Sequence, residues 1–247
     1  MHTLKGRTAV IAGATGHVGA GAVRMLTEAG MNVVMVTHNM AGAEDLIAEV
    51  KQNPGACIAL SNENGDGAVY GEVYRRFGSV DVIIPNQGAA ARCRELGEIT
   101  EEELDEKLHH QITGSFTMVQ QALPYLEKSR AGRIILMAGQ GAENGLREEG
   151  LLDCAAGGGV ISMARYLAQA LAQKGITVNC IAKGGVENDH PVEREDELDN
   201  GKLVSGIPLQ RNGTPKEFGA AVCYLASEEA GFMTGQVIRL NGGMYMG

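Results

Sequence analysis

The sequence predicts a three-layer, doubly wound α/β domain with a parallel sheet between two layers of helices. Short apolar, β-branched runs alternate with segments of helical periodicity along the 247 residues. A glycine-rich turn joins the first apolar run to the first helical segment. No repeat, linker or low-complexity tract divides the chain, so we expect one domain over residues 1–247.

The first of these units is the most informative. Residues 8–12 (Thr-Ala-Val-Ile-Ala) form a short apolar run long enough for one buried strand. The turn Gly13-Ala14-Thr15-Gly16-His17-Val18-Gly19 follows, and a helical pattern then runs to a stop at Gly30. Glycines allow a diphosphate to approach the backbone, and the N–H groups of a helix N-terminus face its charge. This order predicts a dinucleotide site, with a purely structural glycine turn as the alternative.

The remaining elements continue the alternation. Further strands are predicted at residues 32–37, 56–60, 80–84, 133–137, 176–181 and 236–240. Helices are predicted at residues 43–51, 67–77, 104–126 and 154–173, and after Thr214. Thr100 with Glu103 predicts a capping box at the start of the long helix that includes residues 104–126. Thr214-Pro215 predicts the start of the last helix.

Residues 184–206 do not fit this alternation. The segment is polar, and its centre is acidic, with Glu193, Glu195, Asp196, Glu197 and Asp199. A solvated surface loop is one interpretation. The other is a mobile loop on the substrate side of the site, because loops after the carboxyl ends of strands flank the crevice in doubly wound folds.

Composition excludes several classes of function. A net charge of −9 argues against nucleic acid or an anionic membrane as a partner. No apolar run approaches the ~18 residues that span a bilayer, and residues 1–5 do not resemble a signal peptide. Five cysteines without metal-like spacing suggest reduced thiols and no metal site. We therefore expect a cytoplasmic protein acting on a small molecule.

Five stretches together resemble the short-chain dehydrogenase/reductase (SDR) family over nearly the whole chain. They are residues 12–19, 81–88, 111–116 (Gln-Ile-Thr-Gly-Ser-Phe), 132–135 (Gly-Arg-Ile-Ile) and 176–179 (Ile-Thr-Val-Asn). The ending from Thr234 to Tyr245 resembles the β-ketoacyl carrier-protein reductase branch. The resemblance implies a Rossmann fold with a seven-stranded sheet, an NAD(H) or NADP(H) cofactor, oxidoreductase activity, and a homodimer or homotetramer built through two long helices.

The resemblance also implies which residues bind the cofactor. They are Gly13, Thr15, Gly16, His17, Val18 and Gly19 in the turn, Thr37, His38 and Asn39 after the second strand, and Asn62, Asn86, Gly88 and Gly184. A protein that prefers NAD places a carboxylate after its second strand. Thr37-His38-Asn39 stands there instead, which slightly favours NADP(H) over NAD(H).

The catalytic positions depart from the family pattern. The family uses an Asn, a Ser, a Tyr and a Lys, and those positions fall on Gln111, Gly139, Cys154 and Gly158. No tyrosine elsewhere is followed four residues later by a lysine. A phenol of pKa ~10 needs a nearby cation to act near neutrality, so ordinary carbonyl reduction is disfavoured.

Several residues could replace the missing groups. Cys154 could donate a proton or be a small core residue, and Gln111 could offer its amide or be bonded to backbone. Lys183 could contact a substrate or phosphate or be an exposed loop lysine. Glu143 and Glu148 follow the fifth strand and could act as acid or base. His109 and His110 point about 100° apart on a helix and are expected at the surface.

Three functions follow. The first is a divergent NAD(P)(H)-dependent oxidoreductase without the usual Ser-Tyr-Lys machinery. The second is a catalytically silent homologue that acts as a binding or partner subunit. The third is a non-redox enzyme on the same scaffold, because the fold alone does not determine the reaction.

Overall fold

The computed structural model describes residues 4–61, 68–87, 94–187 and 204–247, without the side chain of Glu148. Seven parallel strands form one sheet in the order β3-β2-β1-β4-β5-β6-β7. They are β1 (Thr8–Ala12), β2 (Asn32–Val36), β3 (Cys57–Leu60), β4 (Val82–Pro85), β5 (Arg133–Gly139), β6 (Thr177–Lys183) and β7 (Val237–Leu240). This arrangement confirms the doubly wound, seven-stranded Rossmann fold.

Helices cover both faces of the sheet. They are α1 (His17–Glu28), α2 (Met40–Val50), α3 (Ala68–Phe77), α4 (Glu101–Leu108), α5 (Gly114–Leu126), α6 (Gly141–Asn144), α7 (Leu151–Leu171) and α8 (Pro215–Ala226). Within the described ranges, no helix is long and apolar enough to cross a membrane.

The core has two layers because successive strand side chains point to opposite faces. In β1, Ala9 and Ile11 pack into the layer under α1 and α8. Val10 and Ala12 pack into the opposite layer, under α5 and α7. All five residues of β1 are buried, as expected for a central parallel strand covered on both sides.

The predicted capping box and the predicted start of the late helix are both present, and the late helix also begins with a capping box. Thr100 accepts the N–H of Glu103 while the Glu103 carboxylate accepts the N–H of Thr100. Thr214 and Glu217 make the same reciprocal pair at the start of α8, with Pro215 at the first helical position. Local sequence alone therefore places these two helix starts correctly.

The long helix predicted to run unbroken to residue 126 is interrupted. A five-residue π-helical turn, His109–Thr113, separates α4 from α5, and the N–H of Gly114 donates to the carbonyl of His109. A π turn inserts one extra residue and rotates everything after it, which a periodic apolar pattern does not reveal.

Two other boundaries differ from the sequence prediction. Helix α2 begins at Met40 because Asn39 accepts the N–H of Gly42 and caps it. Strand β6 continues to Lys183, since its last residues remain paired with β5 and β7. Lys183 is thus a half-buried strand residue and not an exposed loop lysine.

Candidate cofactor and proton-transfer site

The turn between β1 and α1 is shaped by backbone crowding at two glycines. Gly13 has φ +63°, and a Cβ there would lie 1.8 Å from the carbonyl oxygen of Asn86. The Asn86 amide donates to the carbonyl of Gly13 at 3.1 Å and ties the ends of β1 and β4 together. A Cβ at Gly19 would lie 2.3 Å from the same Gly13 oxygen. Both positions therefore require glycine for close approach.

Gly16 differs from its neighbours because the space beside it is open. Among the described residues, the atom nearest to a Cβ at Gly16 is the Gly13 oxygen, at 3.7 Å. Gly16 is the N-cap of α1, it is exposed, and no side chain caps the helix. No acidic residue lies in the first turn of α1. The helix N-terminus and the open space beside Gly16 fit a diphosphate group.

A cavity of about 200 Å³ lies at the carboxyl ends of β1 and β2, and Ala12, the residue before the turn, is part of its wall. The sheet order reverses between β1 and β4, which is where doubly wound folds bind their ligands. Residues from the strand ends and from α3 and α5 line the cavity, among them Ala12, Val36, Tyr70, Gln87 and Thr113. The Gln87 side chain packs against Gly114, where a Cβ would lie 2.0 Å from Gln87 Oε1. The cavity offers apolar walls with a few amide and hydroxyl groups, which suits a nucleoside.

The three residues after β2 form a short polar turn. The N–H of Asn39 donates to the Thr37 hydroxyl at 3.0 Å, and His38 is exposed. Helix α2 follows with no acidic residue in its first turn. The end of β2 therefore presents hydroxyl, amide and imidazole groups and no carboxylate.

Some predicted cofactor residues lie outside the described ranges, namely Asn62 and Gly88, as do residues 188–203 of the acidic loop. Thr15, His17 and Val18 lie in the described turn and the first turn of α1. Gly184 is buried directly after β6, and a Cβ there would lie 2.8 Å from the Cα of Asn241. The backbone of Gly184 thus packs against the segment after β7.

A second group of residues gathers where β5 and β6 end. Gly139 is the register partner of Lys183, and the N–H of Gln140 donates to the carbonyl of Lys183 at 2.9 Å. Gly139 occupies the family's Ser position by resemblance. The missing side chain leaves a space beside the end of β5.

Glu149 fills that space. Its Oε2 atom lies 2.2 Å from the point that a Cβ on Gly139 would occupy and 3.0 Å from the equivalent point on Gly141. The same oxygen accepts the N–H of Gly141 at 2.8 Å. Glu149 is only partly exposed, and burial raises the pKa of its carboxyl above the ordinary value. The Gly141 N–H and the charge of Lys183 oppose that rise in pKa.

Cys154, on α7, borders the same carboxyl. Its Sγ lies 2.7 Å from the point that a Cβ on Gly141 would occupy, and it donates to the carbonyl of Leu146 at 3.5 Å. Gly158 lies one turn further along α7 and faces the carbonyl of Ala142, 3.7 Å from its Cβ position. A Cβ at position 158 would fit without a clash.

Gln111 lies in the π turn and is buried. Within the described part of the chain, its side-chain Oε1 has no hydrogen-bond partner. The alternative that the Gln111 side chain hydrogen-bonds to the backbone is therefore not seen at Oε1. The backbone carbonyl of Gln111 accepts a hydrogen bond from the Ser115 hydroxyl at 2.6 Å. A buried ion pair, Lys107 to Asp153 at 2.5 Å, joins α4 to α7 beside this turn.

The other candidates are separated from this group or have partners. Glu143 forms a bidentate pair with Arg239, at 2.7 and 2.9 Å. His109 and His110 are both exposed, as expected; His109 borders the cavity, and His110 lies 3.7 Å from Glu106. Sequence reasoning missed Glu149, because its neighbour Glu148 was considered in its place. The signal that could have found it is the pair of glycines at 139 and 141.

An open cleft leads to Cys154 from the other side. Its volume is about 380 Å³, and its walls are mainly apolar, with Leu96, Ile99, Leu146 and Leu151. Arginines at its rim are paired with glutamates, as in the 2.6 Å bond from Arg147 to Glu95. Such a cleft can hold an apolar chain of a small molecule. Among the described residues, no cluster of three or more His, Cys, Asp or Glu could hold a metal ion.

Comparisons with known proteins agree with this architecture. A family model described as Enoyl-(Acyl carrier protein) reductase matches residues 13–245. The 3-oxoacyl-[acyl-carrier-protein] reductase FabG of Vibrio cholerae is 31% identical over 244 residues, covering 98% of this chain and 99% of that protein. The same-named reductase of Staphylococcus aureus is 33% identical over 249 residues, covering 97% and 98%.

A solved structure from Sinorhizobium meliloti, described as a short-chain alcohol dehydrogenase, superposes with a TM-score of 0.89 and covers 98% of both chains. At 24% identity that likeness concerns the fold. The extent of the family match and the two relatives above 30% identity show more than the fold. On this evidence the chain belongs to the short-chain dehydrogenase/reductase family.

Proposed function

We propose that the protein binds NAD(P)(H) and is an oxidoreductase whose proton-handling groups differ from the family's Ser, Tyr and Lys. The observation that supports the binding site is the β1–α1 turn. Gly13 and Gly19 are crowded by backbone, while Gly16 has open space at an uncapped helix N-terminus. When bound, a nicotinamide cofactor supplies or accepts a hydride. The chain's own residues would hold its diphosphate, exclude water and manage the proton.

We propose that NADP(H) is the preferred form. Thr37, His38 and Asn39 offer hydrogen-bond donors at the end of β2, and α2 begins there without an acidic residue in its first turn. A 2′-phosphate needs donors and tolerates no adjacent carboxylate. The two relatives are reductases acting on acyl-carrier-protein substrates by name, which supports a carbonyl compound with an apolar chain as the substrate class here.

We also propose a homodimer or homotetramer in the cytoplasm. Phe116 on α5 is 49% exposed and Tyr166 on α7 is 73% exposed. Large apolar side chains on the two long helices fit burial against a second copy. Light scattering of the purified protein tests this proposal.

The cofactor site is tested by calorimetric titration with NADPH and NADH. The wild-type protein should bind NADPH more tightly than NADH. Gly16→Asp should weaken NADPH binding at least about tenfold, because it places a like charge where the diphosphate would lie. Gly97→Asp is the matched control, since Gly97 is exposed and no described atom lies within 4 Å of its Cβ position. A wild-type protein that binds neither dinucleotide would overturn the proposal.

The silent-homologue alternative predicts a different pattern. Gly139, Cys154 and Gly158 stand at the family's Ser, Tyr and Lys positions by resemblance, which favours that reading. It requires dinucleotide binding without turnover across a broad panel of ketones, aldehydes and acyl thioesters. NADPH-dependent reduction of any member of the panel would favour the oxidoreductase.

A further inference from the structure

The carboxyl group of Glu149 occupies the space beside two glycines at the end of β5. A Cβ at Gly139 or at Gly141 would lie 3.0 Å or less from Glu149 Oε2, so a larger residue at either position would clash with the carboxyl. The N–H of Gly141 donates to that oxygen at 2.8 Å and holds it at the end of β5. The absence of two side chains and the backbone N–H groups of Gly141 and Gln140 therefore hold the carboxyl at the end of β5.

We infer that Glu149 is the acid–base residue of this oxidoreductase, giving a proton to the carbonyl oxygen of the substrate in reduction and removing it in oxidation. The inference rests on the proposed function, which supplies the redox partner. It assigns to Glu149 the role that the family gives to a tyrosine. Neither the sequence resemblance nor the names of the relatives point to this residue.

The groups around the carboxyl suit such a role. Lys183 approaches from β6, and Cys154 and Asp153 approach from α7. Asp153 is itself paired with Lys107 of α4. One cation and one anion therefore act on the carboxyl from opposite elements, and the cation of Lys107 partly balances Asp153.

The surroundings keep the proton on the carboxyl over a wider pH range. Burial, the largest effect, and then the charge of Asp153 raise the pKa of Glu149, while the Gly141 N–H and Lys183 lower it. The net shift is upward. A general acid works best when its pKa lies near the working pH, so an upward shift favours proton donation.

The proton and electron balance of the step is complete. In reduction, the carbonyl carbon gains a hydride from the reduced dinucleotide and the π bond to oxygen breaks. The oxygen takes the proton of the Glu149 carboxyl, which leaves an alcohol, an oxidised dinucleotide and a Glu149 carboxylate. A proton from bulk solvent, carried by hydronium or a buffer acid, then returns to the carboxylate, so that the reduction consumes one hydride and one solvent proton. Oxidation runs through the same steps in reverse.

Neighbouring groups are poorer candidates for this role. The Gln111 amide does not titrate. Ile112, the next residue of the π turn, packs against Gly159 of α7, where a Cβ would lie 2.5 Å from Ile112 Cδ1. Glu143 is held by two bonds from Arg239. The Cys154 thiol already donates to the carbonyl of Leu146.

The test compares Glu149→Gln with Glu127→Gln, an exposed glutamate at the end of α5 that pairs with Lys174. Calorimetry should show NADPH binding within about twofold of wild type in both variants. Carbon-13 NMR of glutamate-labelled protein should show one carboxyl that titrates above the ordinary ~4.3. That signal should be absent from Glu149→Gln and present in Glu127→Gln.

Activity on the carbonyl panel provides the second readout. Glu149→Gln should lower kcat by roughly 10²–10⁴-fold, the usual effect of losing a general acid. The wild-type rate should fall as pH rises through the Glu149 pKa, and the variant should lose that fall. If the wild-type protein binds NADPH but turns over no member of the panel, the silent-homologue alternative is favoured and the role of Glu149 is overturned.

The outcomes separate the two proposals. Wild-type protein that binds neither dinucleotide overturns the proposed function and this reaction with it. Normal binding with full activity and an unchanged pH profile in Glu149→Gln overturns the role of Glu149 alone. A Glu149 carboxyl that titrates at or below the ordinary value does so as well.

Discussion

Gly139 at the end of β5 lies directly beside Lys183 at the end of β6, as register partners in the parallel sheet. β6 carries the Lys183 side chain at this position, whereas β5 carries no side chain because its residue is Gly139. The carboxyl of Glu149 occupies the empty side. This edge of the sheet therefore brings a carboxyl group close to a lysine side chain from a separate part of the chain.

A serine at position 139, where the family resemblance implies a Ser, should displace Glu149. The Cβ of Gly139→Ser would lie 2.2 Å from Oε2, and a flexible carboxylate is the group that can yield. We expect the Glu149 carboxyl to move toward solvent and its pKa to fall toward the ordinary value, as measured by carbon-13 NMR. Gly158→Ala is the control, because its Cβ would make an ordinary 3.7 Å contact. An unchanged Glu149 titration in Gly139→Ser would contradict the geometry.

Lys183 should tune the same carboxyl. Its positive charge lowers the pKa of Glu149, so Lys183→Met should raise that pKa further. The alkaline fall in the reduction rate should move to higher pH by the same amount. Lys174→Met, at an exposed site on the opposite end of β6, should leave the profile where it is. A shift to lower pH in Lys183→Met would show that the two groups do not interact as the structure has them.

Glu149 should also affect stability in a pH-dependent way. Its pKa is raised in the folded state, so the folded protein holds the proton more tightly than the unfolded chain does. Stability should therefore fall as pH rises from the unfolded value, ~4.3, through the folded pKa, by at most about 1.4 kcal/mol per pH unit. Urea unfolding between pH 4 and 8 should show that the unfolding free energy of Glu149→Gln increases relative to that of the wild type as the pH rises. Parallel curves for the two proteins would count against a buried, ionisable Glu149.

The glycine turn makes a prediction about folding that is independent of catalysis. Gly13→Ala faces both a φ of +63° and a Cβ position 1.8 Å from the Asn86 oxygen. Gly78→Ala has a similar φ of +77°, yet no described atom lies within 4 Å of its Cβ position. Gly78→Ala should cost about 1–2 kcal/mol of unfolding free energy, the cost of the left-handed conformation alone. Gly13→Ala should cost clearly more, and denaturant melts of the pair isolate the steric part.

Equal costs for the two alanine variants would mean that the turn relaxes freely. In that case the approach of β4 to the turn would not depend on Gly13. The hydrogen bond from the Asn86 side-chain amide to the Gly13 carbonyl should then also contribute little to stability. The unfolding free energy of Asn86→Ala would test this.

The sequence by itself determined the order and type of the elements. The cap formed by Thr100 with Glu103, the continuous apolar run of β1 and the glycine turn depend on neighbours a few residues apart. Each lies where local chemistry predicts it. The family likeness depends on the same local motifs. Such short-range features can be read before the chain is folded.

Only the tertiary structure brings together the residues of the proposed proton-transfer site. Glu149 meets Gly139 because the chain turns back through α6, and it meets Lys183 because β5 and β6 pair in register. The π turn that holds Gln111 packs, together with α4, against α7, and it has no periodic signature in the sequence. Contacts between residues distant in sequence depend on how whole elements pack, and local propensity carries no record of that packing.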